Sequence, residues 1–348
     1  MGLSNLLIAG CLLVPWTPRL VNGWSVGGRE SVGQQCGVEN KDRRSFLKLV
    51  PTVASIVLTQ NIQPSFAEEA VGLEEPPSAN LSGDAKKLFN DGRVFESQGN
   101  MAAAQRLYAK VTKIEPRVRK KKQWLNFIYG WSNLGNTQVA LGDLEPAESS
   151  YSTAIDLCRE NLERTEKGFG IKRCDDLSVL LLNRGSLRLN NGRPKEALDD
   201  LESSSVLRGR PDAIIVQNLA RAREVNGYYS QSDRDYNLAI SMTANEVNPF
   251  WLRSALVKLQ LGDVQGGFDL LKRVDNRFPE APEVRAAYAT FLAAKGDQIA
   301  AQRKYLEIPD RQREKFTQKE YLTKVVTWPP AAIDTLRKVS TAAGDKQT

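Results

Sequence analysis

Histidine is absent from all 348 residues. That removes the Ser-His-Asp triad, the Cys-His pair, His-ligated zinc and the His proton shuttle, so the commonest general acid and base at neutral pH is missing. Cysteine is scarce, at four residues, with no Cys-x-x-Cys spacing and no second ligand pair, so no metal site is expected. No glycine-rich phosphate loop occurs: Gly168-Phe169-Gly170 runs into Ile171-Lys172-Arg173 without the further glycine such a loop needs. No cofactor is therefore expected. Aromatic residues make up only 7%, and the body of the chain has no apolar run of membrane-spanning length. What remains is 41% hydrophobic and 26% charged with a net charge of +7, an ordinary globular mixture that can build a sizeable core. These absences argue against an enzyme.

Residues 1–67 do not read as fold. They hold two separate apolar stretches. Residues 1–23 contain Leu3–Trp16, of signal-peptide length, followed by Val21-Asn22-Gly23, although no positive side chain precedes it. Residues 41–67 contain Arg43-Arg44-Ser45-Phe46-Leu47-Lys48, then apolar Leu49–Leu58, then Ser65-Phe66-Ala67 before Glu68. That order is a twin-arginine export signal with a small-x-small cleavage site after Ala67. Pro51 and Pro64 weaken the competing reading as a buried helix. Short patterns in this segment, such as Gly23-Trp24-Ser25-Val26-Gly27 and Ser45-Phe46-Leu47-Lys48, would not survive processing.

From Glu68 onward, residues 68–82 form an acidic, proline-containing flexible spacer, and then a period appears. Turn glycines recur at Gly99, Gly142, Gly192, Gly227, Gly262 and Gly296, spaced by 43, 50, 35, 35 and 34 residues. A period of 34, lengthened twice by insertions, means stacked helical hairpins. Eight residues into each unit stand Gly92, Gly135, Gly185, Ala220, Ala255 and Ala289. Beyond each turn come Ala104, Ala147, Ala197, Ser232, Gly267 and Ala301, then the larger Tyr108, Tyr151, Leu201, Tyr236, Leu271 and Tyr305. Small residues let two helices approach, and large ones fill the groove between them.

These positions resemble the tetratricopeptide repeat. The second unit, with Trp131, Leu134, Gly135, Ala147, Tyr151 and Ala154, comes close to the whole pattern, departing at Gln138 where the repeat usually has tyrosine. The resemblance implies an all-α, right-handed α-solenoid of about six hairpins over residues 83–310, with residues 311–348 as a C-terminal cap and tail. Within 313–338 the cap reads as a short helix, a break at Trp328-Pro329-Pro330 and a second capping helix. Ile308-Pro309-Asp310-Arg311 together with Trp328-Pro329-Pro330 also resembles a plastid and cyanobacterial group of such proteins. The two export signals in series, joined by a transit segment over residues 24–40, look like the compound presequence of thylakoid-lumen proteins of algal plastids. The alternative address is a bacterial periplasm.

In the family, the inner face of the first helix of each unit lines a groove, and an asparagine at its sixth position grips the backbone of an extended peptide. Asn90, Asn133, Asn183 and Asn218 occupy that position here, with Asn136 nearby. A carboxamide pairs with a peptide group whatever the ligand's sequence. The same residues could instead tie neighbouring repeats together. Arg93, Arg221 and Arg253 fall on that face and would favour an acidic segment or a terminal carboxylate. In units five and six the asparagine gives way to Arg253 and Ala287, which confines the groove to the first four units. The basic run Arg117, Arg119, Lys120, Lys121 and Lys122 offers peripheral contact with anionic lipid or an acidic protein, or is simply a solvated helix end. It lacks the interleaved aromatics of a base-stacking platform, so no nucleic acid is expected. Cys158 and Cys174 read either as a disulfide or as two free thiols.

The expectation is a non-enzymatic protein-binding scaffold of the thylakoid lumen, an auxiliary or assembly factor of a photosynthetic complex. The alternatives are a stoichiometric structural subunit of such a complex and a periplasmic adaptor. N-terminal mass spectrometry of the protein from its native source checks the address. The mature chain is expected to begin at Glu68, and an intact 1–67 segment contradicts the reading.

Overall fold

The computed structural model describes residues 85–114, 121–166, 174, 176–243 and 246–344. Arg43, Arg44 and Ala67, the whole of residues 68–82, and Arg117, Arg119 and Lys120 lie outside them. The described fold is all-α. Six hairpins follow one another: α1 (Ala85–Ser97) with α2 (Met101–Val111), α3 (Lys121–Leu141) with α4 (Leu144–Glu166), and α5 (Leu177–Asn190) with α6 (Pro194–Arg208). Then come α7 (Ala213–Val225) with α8 (Tyr229–Met242), α9 (Phe250–Gln260) with α10 (Val264–Arg277), and α11 (Pro282–Ala294) with α12 (Gln298–Leu306). Lys121 and Lys122 open α3. The chain ends with α13 (Asp310–Thr317), a π-helical turn over Tyr321–Val325, and α14 (Pro330–Ala342).

The turn inside each hairpin is written locally. All six turn glycines have positive φ, from 70° at Gly192 to 93° at Gly296, a backbone conformation that a Cβ disfavours. The following residue then caps the second helix in three units: Asn100, Asp263 and Asp297 accept from the backbone N–H of Ala103, Gly266 and Ala300. Helix one therefore stops and helix two starts within two or three residues, which makes the pair antiparallel.

Packing within each hairpin follows from one small residue against one large one. A Cβ added to Gly92 would meet the Tyr108 ring at 2.9 Å, one on Gly135 the Tyr151 ring at 2.8 Å, and one on Gly185 the Leu201 side chain at 2.9 Å. The hydroxyls are anchored too. Tyr108 donates to Glu96 at 2.7 Å, Tyr151 to Asn136 at 2.8 Å and Tyr236 to Glu224 at 2.8 Å. A polar ladder runs alongside and explains Gln138. Its Oε1 accepts from Ser150 Oγ at 2.7 Å, and the equivalent Arg188 and Arg223 pair with Asp200 and Asp235 across their own hairpins. Arg188 also reaches back to Glu148 of the preceding unit at 2.9 Å, as Lys258 does to Asp233.

Between units, first helices pack on first helices (α1 on α3, α5 on α7, α7 on α9, α9 on α11), to an extent that second helices do not match. First helices therefore line the inner, concave side. Cys158 near the end of α4 and Cys174 before α5 are joined in a disulfide with Cα atoms 5.6 Å apart, buried among Phe127, Ile128, Ile155, Leu180 and Leu181. It closes the long connection between units two and three, and a loop of this size contributes about 3 kcal/mol in the chain-entropy model.

The glycine rows generate a paired prediction. Gly135→Ala drives a methyl into a ring pinned at both ends and is expected to destabilise by about 1–3 kcal/mol through overpacking. Gly142→Ala meets nothing within 4 Å and costs only its left-handed backbone (φ 88°), about 1–2 kcal/mol. Urea midpoints check both. If Gly135→Ala matches wild type, the ring-on-glycine account fails.

Candidate protein-binding groove

The asparagine row divides into residues that are free to act and residues already engaged. Asn90, in α1, is exposed. Asn133, in α3, is buried; its Nδ2 lies beside the Tyr108 hydroxyl yet has no hydrogen-bond partner at proper geometry. Asn183, in α5, is half-buried and its Nδ2 is likewise unpartnered. Asn136 spends its Oδ1 on Tyr151. Asn218 is fully engaged: Oδ1 accepts from Ser186 Oγ at 3.2 Å and Nδ2 donates to Ile214 O at 2.9 Å. At unit four, therefore, the asparagine is a tie between repeats and not a ligand contact.

The arginines need a larger correction. Arg93 stays exposed in α1, near Glu96, whose carboxyl is raised by burial against the opposing pull of Tyr108 and Arg93. Arg221 and Arg253 do not face an open groove. Arg253 is 2% exposed. It pairs with Glu224, also buried, lies 3.9 Å from Glu283, and donates to the Val326 carbonyl at 2.7 Å. Arg221 pairs with Glu224 at 3.0 Å and donates to Thr327 Oγ1. Two guanidiniums and two carboxylates neutralise one another, so no acidic ligand is called for there. The physical reason is the C-terminal segment: residues between α13 and α14 lie over the first helices of units four to six and cover this cluster.

Burial alone pushes a carboxyl pKa up, but at Glu224 it is outweighed by Arg253 and Arg221 and by hydrogen bonds from Arg253 and Tyr236, so Glu224 sits below the usual carboxylate value. Sequence reasoning missed Glu224 and Glu283 because each looks like an ordinary charged residue on an amphipathic helix. The available signal was the loss of asparagine at Arg253 and Ala287, which is where the covering segment sits; Ala287 is wholly buried.

On units two and three the inner positions carry no such charge cluster. Asn133, Asn136 and Val139 of α3 are buried, so it is the half-buried Leu182, Asn183, Ser186 and Leu189 of α5 that give a mixed amide and aliphatic surface. Tyr129 adds a hydroxyl donated to Asp176 at the start of α5.

The six helical hairpins are joined by one family match: the tetratricopeptide repeat family matches residues 128–161, which are the last two-thirds of α3 and the body of α4. Residues 128–161 thus match a tetratricopeptide repeat, and the described helices stack in hairpins of that kind. No curated protein matches it in sequence. Among solved structures, this repeat protein is similar to the Cut9–Hcn1 hetero-tetramer of the APC/C, at 15% identity and a TM-score of 0.49, covering 74% of this chain and 42% of that one. It spans less than half the length of that relative. It is similar also to YrrB, a TPR protein with an unusual peptide-binding site, at 13% identity and a TM-score of 0.43 over 58% of this chain and 90% of that one. A third is a tetratricopeptide repeat protein from Parabacteroides merdae, at 16% and 0.37 over 74% of this chain and 98% of that one.

The buried cluster sets an acid limb of stability. Because the folded value of Glu224 lies below its ordinary 4.5, its contribution is complete above that value and is lost as the pH falls through the lowered one. Glu224→Gln leaves two guanidiniums short of a counter-charge and is expected to cost about 3 kcal/mol at pH 7. Urea unfolding at pH 7 and pH 3 checks this: the difference between variant and wild type shrinks at the lower pH, and a difference independent of pH contradicts the assignment.

Proposed function

We propose that this protein is a non-enzymatic scaffold that holds an extended segment of a partner protein on the concave face of units one to three. The supporting observation is the half-buried Asn183 amide, whose Nδ2 is left unpartnered on the inner side of α5 beside Leu182 and Ser186. A buried unmade hydrogen bond is costly, and a peptide carbonyl is the acceptor an extended chain always brings. With Arg221 and Arg253 internally neutralised, the favoured partner segment is neutral and apolar, contacting Leu182 and Leu189, in place of the acidic segment those arginines imply from sequence. Tetratricopeptide-repeat proteins generally mediate protein–protein interaction, which agrees with this reading.

The finer setting is the thylakoid lumen, with the partner a subunit of a photosynthetic complex and the protein acting as its auxiliary or assembly factor. That setting rests on the serial export signals of residues 1–67. A second reading, a permanent structural subunit, draws support from apolar side chains on the second helices: Val206 is 79% exposed and Leu207 52% on α6, with Leu238 and Met242 outward on α8. Such a subunit would bury this outer face in a stoichiometric complex.

The test is quantitative affinity capture from isolated thylakoids with wild type and Asn183→Ala at matched folding, read by circular dichroism. Loss of one amide contact lowers partner recovery by about tenfold. Unchanged recovery with Asn183→Ala, together with loss on Val206→Asp, favours the outer-face reading instead.

A further inference from the structure

The segment between α13 and α14 does not pass outside the solenoid. It runs along the inner face and is held there by three units. Arg221 of α7 donates to Thr327 Oγ1, and Arg253 of α9 donates to the carbonyls of Val326 at 2.7 Å and Thr327 at 2.5 Å. The Trp328 indole N–H donates to Glu283 Oε1 of α11 at 2.9 Å, and Gln260 Oε1 at the end of α9 accepts from the Ala331 backbone N–H at 2.8 Å. One guanidinium on two successive carbonyls, a carboxamide on a backbone N–H and an enclosed indole are the contacts by which a groove reads an extended peptide.

We propose that residues 318–329 are a movable strap, the resident ligand of units four to six, which swings out to admit a partner's extended segment carrying an aromatic side chain. The inference rests on the reading of the inner face as a peptide-binding surface and extends it to the half of the molecule that is closed.

Four observations carry it. First, irregular backbone is concentrated in the strap. Tyr321–Val325 is π-helical, and Thr327, at φ 47°, is the one non-glycine residue with positive φ among those described, although it is β-branched. Second, the charges beneath the strap pair with one another: Glu224 with Arg221 and Arg253, and Arg253 with Glu283. Opening therefore leaves no isolated buried charge. Third, two of the strap's four polar contacts with the inner face, those of Arg253 with the Val326 and Thr327 carbonyls, fall on backbone groups that any extended peptide supplies. Fourth, α14 has its own packing, with Ile333, Leu336 and Val339 buried and the helix seated on α11 and α12, so the strap can lift while α14 stays docked. Leu322, Val326 and Trp328 are buried in the closed form, which keeps that form dominant. An incoming segment must refill the place of the Trp328 ring, hence the aromatic requirement.

Hydrogen exchange on the full chain reads the opening directly. The Ala331 N–H, bonded to Gln260 Oε1 at the start of α14, is the reference that stays protected, and the reporters are the N–H groups of Val326 and Trp328, bonded to Tyr321 O and Leu322 O inside the strap. They are expected to exchange at least about tenfold faster than the central amides of α9 and α11. Thr327→Asn keeps an acceptor for Arg221 and tolerates the left-handed backbone, so it is expected to slow strap exchange by about threefold without slowing α9. Trp328→Ala loosens the strap, and a labelled synthetic peptide of residues 324–333 then binds the full chain at least about tenfold more tightly than it binds wild type. Strap amides that exchange in step with α9 and α11 overturn the inference, as does a folded Trp328→Ala chain that ignores the peptide. The exchange measurement needs no partner, so its outcome is separate from that of Asn183→Ala.

Discussion

Each hairpin of this protein is fixed by one contact, a side chain of the second helix laid on a small residue of the first. At Gly135 there is no room for even a methyl group beside the Tyr151 ring, so the two helices are held at one distance and one rotation. The same contact recurs at Gly92 with Tyr108 and at Gly185 with Leu201, and it sets the inner and outer faces of the first three hairpins. Because first helices also pack on first helices, their sixth and ninth positions are gathered on one side. The surface chemistry of the protein is thus a consequence of where glycine and alanine stand.

That inner surface falls into two parts with different physics. Unit three presents aliphatic side chains and the Asn183 amide, whose Nδ2 is unpartnered. Units four to six present a neutralised ion cluster already covered by the chain's own C-terminal segment. A buried ion cluster contributes little net stability, since desolvation offsets most of the attraction, but it is intolerant of losing a member. It fixes where the C-terminal segment lies more than it strengthens the fold. The solenoid end is closed by α14, while the segment before it works on the inner face. One stretch of chain thus caps the last unit and limits the groove.

The hairpins were legible in the sequence because their determinants are local. A glycine followed by Asn or Asp, with a small residue before it and a tyrosine or leucine after it, specifies a turn and a packing contact within about one repeat. The helix, break and second helix at the C terminus were legible for the same reason, from Trp328-Pro329-Pro330. The destination of that break was not. Arg253 meets residues 73 and 74 positions away, and Arg221 one 106 positions away. No spacing rule links such distant residues, so from sequence both arginines read as ligand contacts, and the segment that covers them was not legible. Asn218 misled in a smaller way. Its consensus position suggests a ligand, but Ser186 one repeat earlier occupies its oxygen.

The account stands on the inner face of the first three units being the working surface. Photo-cross-linking tests it most directly, with a photoreactive residue placed in the full chain at Asn90, at Asn190 or at Leu238. The first two lie on first helices and the third on a second helix, and all three are exposed. The account predicts that positions 90 and 190 capture the same segment of the same partner and that position 238 does not. Capture from position 238 alone would contradict it.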